Sequence, residues 1–160
     1  MNEVWDLSPI YKGFDDPAFD ADMQEMKGLV EKINEVAAEL PQAEYLAGLT
    51  QGIALQERFS ELVSKLAGYA SLRQAADTRD SEAGSRMGQI MQLYSGVAAP
   101  FAAFKDWATK IPGLMDLVKA DDNLKDYTFM FENMADSARY LLPGVGEAVM
   151  AKMSLSGGDA

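Results

Sequence analysis

Apolar residues recur at helical spacing over most of this chain. Leu55, Phe59, Leu62, Leu66, Tyr69 and Ala76 fall on one face of a helix, and Met87, Ile90, Tyr94, Val97, Phe101, Phe104 and Ala108 fall on one face of another. Between the two stripes, Asp77 to Ser81 interrupts the pattern with side chains suited to helix N-termini, and either Asp80 or Ser81 can cap the following helix. The pattern predicts a hairpin of antiparallel arms, each about 27 to 30 residues and therefore about 40 to 45 Å long at ~1.5 Å per residue.

Upstream, Asp15-Asp16-Pro17 reads as a helix start, with Asp16 as the cap and Pro17 at the first helical position, where its missing N–H costs nothing. Phe19, Met23, Met26, Val30, Ile33 and Ala37 then form one stripe on a helix that ends near Leu40-Pro41. The second helix begins at Ala43 or at Thr50, depending on whether Gly48 and Gly52 divide it or only weaken its start. Glu61 and Lys65, and likewise Glu82 and Arg86, are spaced for i,i+4 support. Arg73 stands four residues before Asp77, which predicts a salt bridge at the hairpin tip. Pro100 cannot donate to the carbonyl of Gly96, so a kink is expected inside the third helix.

After Lys110 the patterns shorten. Ile111-Pro112-Gly113 is a break, Leu114 to Val118 a short helix, and Leu124, Tyr127, Phe131 and Met134 a further stripe behind the cap-like Asp121-Asp122. Val145, Val149 and Met153 follow Leu142-Pro143-Gly144, and the glycines of Ser154-Leu155-Ser156-Gly157-Gly158 stop the last helix. No strand alternation and no repeat appears. The chain is therefore expected to be all-α: an extended N-terminal arm over 1–14, a bundle of long antiparallel helices over 15–110, and a smaller cluster of short helices over 111–160.

Composition narrows the chemistry more than the fold. Among 160 residues there is neither histidine nor cysteine. That removes the commonest general base, thiolate metal sites, disulfides and every Ser-His or Cys-His nucleophile. It is also compatible with a reducing cytoplasm. The net charge of −11, with no basic cluster interleaved with aromatics, argues against nucleic acid as a partner. Met87 to Phe104 carries no charge, but Gln89, Gln92, Ser95, Gly96 and Pro100 dilute it, which favours a buried helix over a membrane span. The N-terminus lacks the basic start and apolar run of a signal peptide.

Other patterns reduce to structure. Gly144-Val145-Gly146 lacks the third glycine and preceding strand of a dinucleotide site and reads as a turn. Gly84 and Gly88 read as close packing against a neighbouring helix. Asp15-Asp16 and Asp121-Asp122 read as helix caps rather than cation ligands. Met23, Met26, Met87 and Met134 lie on the stripes and read as core. No catalytic, cofactor-binding or metal-binding residue is assigned from the sequence.

Four segments carry a resemblance. Trp5-Asp6-Leu7-Ser8-Pro9-Ile10-Tyr11, Phe14-Asp15-Asp16-Pro17-Ala18-Phe19, Tyr69-Ala70-Ser71-Leu72-Arg73-Gln74-Ala75-Ala76-Asp77-Thr78-Arg79-Asp80 and Ser154-Leu155-Ser156-Gly157-Gly158 stand in the order found at the N-terminus of oligoendopeptidase F. The chain thus resembles the first lobe of the thimet-oligopeptidase-like zinc metallopeptidases. The resemblance implies a non-catalytic helical lobe, with residues 111–160 leading to a catalytic domain that carries the zinc and its His-Glu-x-x-His helix. It also implies that the lobe forms part of the wall of a channel for short peptides. No residue of this chain matches a catalytic position of that family, so the chain alone is expected to be inactive and to need no cofactor. Its expected partners are the parent's catalytic domain and short peptides, with neither nucleic acid nor membrane, and the isolated chain is a candidate homodimer through uncovered apolar surface. The alternative is a free-standing acidic helical protein-interaction module.

Overall fold

Asp16 starts the first helix as its sequence requires. In the computed structural model, which describes residues 6–140, the Ala18 N–H donates to Asp16 Oδ1 at 2.9 Å and Pro17 opens α1, Pro17–Glu39. A cap of this kind contributes about 1 kcal/mol. Phe19, Met23, Met26, Ile33 and Val36 are the buried face of α1. At Leu40–Gln42 the chain tightens into a 3₁₀ turn around Pro41.

The second helix, α2, is continuous over Tyr45–Ala76, 32 residues, so neither Gly48 nor Gly52 divides it. Gly52 serves packing: a Cβ there would lie 2.2 Å from Phe104 Cε2. A tight turn follows, in which the Asp80 N–H donates to the Asp77 carbonyl at 3.0 Å. Of the two candidate caps Asp80 takes the role, its Oδ1 accepting the Ala83 N–H at 3.0 Å, and Ser81 becomes the first residue of α3.

The third arm is half as long as its apolar stripe suggests. α3 covers Ser81–Ser95, 15 residues, and a separate α4 covers Ala98–Thr109. The expected kink inside one helix is a break between two. The Gly96 N–H closes α3 onto the carbonyls of Gln92 and Leu93, and Pro100 falls in the first turn of α4, where a helix needs no N–H from it. The joint is held against α1: Asn34 Nδ2 donates to the carbonyls of Val30 at 2.8 Å and Gly96 at 3.2 Å. A Cβ on Gly96 would stand 3.2 Å from Val30 Cγ1, so the close approach uses this glycine. Gly84 and Gly88, by contrast, are exposed and pack against no helix, contrary to the close packing expected of them; the nearest atom to a Cβ at Gly84 is Gln74 Nε2 at 4.0 Å.

The chain divides into two compact units, one ending at Phe104 and the other starting at Lys105. The boundary lies within α4, ahead of the Ile111-Pro112-Gly113 break, because Phe104 still packs on α2. The first unit is a core of Tyr11, Phe14 and the inner faces of α1, α2 and α3, with Val97 closing it. Its N-terminal stretch is not extended throughout as expected. Asp6 accepts the Ser8 N–H, and the Leu7 carbonyl accepts the N–H groups of Ile10 and Tyr11, so Pro9 sits in a turn that aims Tyr11 inward.

In the second unit, Gly113 adopts φ 67° and leads into α5, Leu114–Ala120. A 3₁₀ turn, Lys125–Tyr127, and α6, Thr128–Tyr140, complete it, with Leu114, Val118, Leu124 and Phe131 buried. Asp121 does not cap a following helix. It closes α5, and its carboxylate accepts the Asn123 N–H at 2.8 Å, an Asx turn, while Asp122 pairs with Lys125 at 3.3 Å. Met23 and Met26 are core, whereas Met87 and Met134 are only half-buried. Among the described residues there is no strand, and no helix is long and apolar enough to cross a membrane. Trp5, the Gly144-Val145-Gly146 turn, the Val145–Met153 stripe and the Ser154–Gly158 segment lie outside the described residues.

Candidate functional site

Two places in the first unit concentrate structure: the end of the bundle at the hairpin tip, and an apolar pocket between α1, α2 and α4. At the tip, four rings from three elements meet edge to face. Tyr11 lies 5.1 Å from both Phe19 and Tyr69, and Phe14 lies 5.3 Å from the same two, with interplanar angles of 75 to 87°. This is the arrangement the ring quadrupole prefers, and each pair is worth about 0.5–1.5 kcal/mol beyond its buried area. All four side chains are buried.

Three cations stand over these rings. Lys65 Nζ is 4.7 Å from the Tyr11 centroid, Arg73 Cζ 4.8 Å from that of Phe14 and Arg86 Cζ 5.5 Å from that of Phe19. The cations also hold the carboxylates. Lys65 donates to Asp22 Oδ2 at 2.9 Å, and the Tyr11 hydroxyl donates to the same oxygen at 2.5 Å. Arg73 donates to the Tyr69 hydroxyl and to Asp80 Oδ2, both at 3.1 Å.

The expected tip pair, Arg73 with Asp77, is therefore replaced by Arg73 with Asp80. At φ −142° Asp77 has left the helix, and its carboxylate instead takes the Arg79 N–H at 3.0 Å. Glu61 and Lys65 likewise do not pair. Lys65 is drawn to Asp22, and Glu61 meets Arg58 at 3.2 Å, which is itself forked onto Glu25 at 2.6 and 2.8 Å. Lys65 thus takes a partner on α1, while Glu61 takes its i,i+3 neighbour on the same helix. The third expected pair holds, Arg86 lying 3.7 Å from Glu82 and 4.0 Å from Asp20.

Charge states follow from these contacts. Burial pushes Asp22 up, but the hydrogen bonds from Tyr11 and Lys65 outweigh it and hold the carboxyl below the usual range. The Lys12 and Ala18 N–H groups hold Asp16 below it, the Arg58 guanidinium does so for Glu25, and the Ala83 N–H with Arg73 does so for Asp80. Burial, reinforced by Asp22, raises the Tyr11 phenol. A carboxyl depressed in the folded state stabilises the fold above its unfolded value and loses that contribution as pH falls through its folded value. Stability is therefore expected to be level near neutrality and to decline below about pH 4. Acid titration followed by circular dichroism checks this, and Asp22→Asn should flatten part of the decline.

Every group at the tip is thus committed to another. No buried side-chain nitrogen or oxygen lacks a partner, and no group of three or more metal-ligating side chains occurs among the described residues. What the arrangement does is fasten residues 7–16 across α1 and α2. Comparison with family models, curated proteins and solved structures returned no match.

The pocket is of another kind. Ile33 and Val36 of α1, Leu40 of the 3₁₀ turn, Leu55 of α2, and Phe101 and Phe104 of α4 are among its walls, whose side chains are apolar, and it encloses room for no more than about one water molecule. Sequence reasoning missed it. Its signal was present in Gly52 and Pro100, both of which line it, but each was legible only as a helix-weakening residue.

Proposed function

We propose that this chain is the non-catalytic N-terminal helical lobe of an oligoendopeptidase F-like zinc metalloendopeptidase, forming part of the wall of its peptide channel. One observation carries the reading. Two of the segments on which the resemblance rests, Phe14 to Phe19 and Tyr69 to Asp80, lie far apart in sequence yet form a single packed unit with Tyr11. Tyr69 meets Tyr11 and Phe14, and Arg73 lies over Phe14 while bonding Asp80. A shared residue string of that kind has a physical reason to persist together, because each segment is the other's packing surface.

In this reading the zinc and the His-Glu-x-x-His helix belong to a later domain of a cytoplasmic enzyme. That catalytic domain and the short peptides in the channel are the lobe's partners. The isolated chain forms a homodimer only by covering apolar surface meant for that domain. The chain itself contributes a rigid wall and no reacting group, since it holds neither histidine nor cysteine. Residues 1–160 incubated with internally quenched peptides and zinc should give no cleavage above background. Turnover that copurifies with the chain and is abolished by a chelator would contradict the proposal.

A further inference from the structure

Residues 7–14 close one end of the α1 and α2 pair, yet among the described residues they share no main-chain hydrogen bond with the body of either helix. Their backbone bonds stay local. The Ile10 and Tyr11 N–H groups donate to the Leu7 carbonyl at 2.9 and 3.3 Å, and the Gly13 carbonyl accepts the Asp16 N–H at 3.2 Å. The Lys12 N–H reaches only the cap of α1, Asp16 Oδ2, at 2.9 Å. The N–H groups of Gly13, Phe14 and Asp15 meet no acceptor among the described residues. What crosses to the helices is side chain: the Tyr11 hydroxyl on Asp22, and the Tyr11 and Phe14 rings on Phe19 and Tyr69 beneath Lys65 and Arg73. The two helices are also tied to each other without this segment, through Lys65 to Asp22 and Arg58 to Glu25.

We infer that residues 7–14 are a strap that opens as one unit on a bundle that stays folded, turning about Asp15 and baring a groove floored by Phe19 and Tyr69. Opening the strap breaks only the contacts the strap itself makes, and its backbone regains conformational freedom in return. Opening α1 or α2 breaks a main-chain ladder and the shared core as well. The bundle is also left in order when the strap departs. Asp16 continues to cap α1 through its other oxygen, which holds the Ala18 N–H. Lys65 keeps Asp22, and Arg73 keeps the Tyr69 hydroxyl and Asp80, so no charge loses its partner. The strap does not depend on the peptidase reading: a lobe or a free-standing module would carry it equally.

The test is amide hydrogen exchange of the full chain by NMR, read at Tyr11 and Lys12 and at the slowest amides of α2, with urea added in steps below the unfolding transition. The strap amides should exchange at least about tenfold faster than those of α2. Their urea dependence should lie above zero, because two rings are uncovered, and below about half that of α2. Ile33→Val, placed on α1 well away from the strap, should speed the slow α2 amides about fivefold and leave Tyr11 and Lys12 unchanged. Tyr11→Phe, which loses the bond to Asp22, should speed Lys12 severalfold. Strap amides that match α2 in rate and urea dependence, and follow it in Ile33→Val, overturn the inference, since the segment then opens only with the whole unit. Exchange at Lys12 with no urea dependence and no response to Tyr11→Phe also overturns it, since the turn then frays while the rings stay in place.

Discussion

Tyr69→Ala is expected to lower the unfolding free energy of the first unit by about 3–5 kcal/mol, as removal of a buried aromatic ring does. Tyr69 is 1% exposed and is the ring on which the N-terminal segment closes, touching Tyr11, Phe14 and Phe19. Its loss opens a cavity against the rings of Tyr11, Phe14 and Phe19, which lose their ring partner. Tyr69→Phe keeps the ring and removes only the acceptor of the Arg73 hydrogen bond, at a cost of about 1 kcal/mol. Arg73 retains Asp80 and the face of Phe14 in that variant. Urea unfolding followed at 222 nm checks both. A Tyr69→Ala loss no larger than that of Tyr69→Phe would mean the aromatic cluster contributes little.

Gly52→Ala should also destabilise, against the ordinary preference of a helix interior. Alanine gains about 1 kcal/mol over glycine within a helix. Here the added methyl would stand 2.2 to 2.8 Å from three atoms of the Phe104 ring, which is itself only 6% exposed, and overpacking of that kind costs about 1–3 kcal/mol. The net expectation is a loss of up to about 2 kcal/mol. In the background of Phe104→Ala the obstruction is gone, and the same substitution should become stabilising by up to about 1 kcal/mol. A change of sign between the two backgrounds is the readout. Equal effects in both would mean the ring is not where the clash arises.

The helices were legible in the sequence wherever a local signal was uncontested. Asp16-Pro17 marks the start of α1 because cap and proline act within one turn. The Asp80 cap was narrowed to two neighbouring residues for the same reason. The end of α3 was not legible. The apolar stripe runs straight from Met87 through Phe104, and the break at Gly96 depends on α1 passing close enough to place Val30 and Asn34 against it. Exposed Tyr94 shows how the stripe misleads: it keeps the periodicity yet lies 52% open, stacked at 6.3 Å on Phe59.

Ion pairs followed the same division. Glu82 with Arg86 could be read from spacing, while Lys65 with Asp22 and Arg73 with Asp80 required knowing which helices lie side by side. The pocket was illegible for a related reason, since its walls come from three separated stretches and no one of them is unusual alone. The aromatic tip stood between these cases. Its residues stood out as a string in the sequence, and packing explains why Tyr11 and Phe14 belong with Tyr69.

The reading frame of the gene downstream of codon 160 tests the lobe proposal most directly, read from the transcript in the source organism. An in-frame continuation encoding a His-Glu-x-x-His helix with a further glutamate is the expected result. A stop codon directly after Ala160 would contradict it.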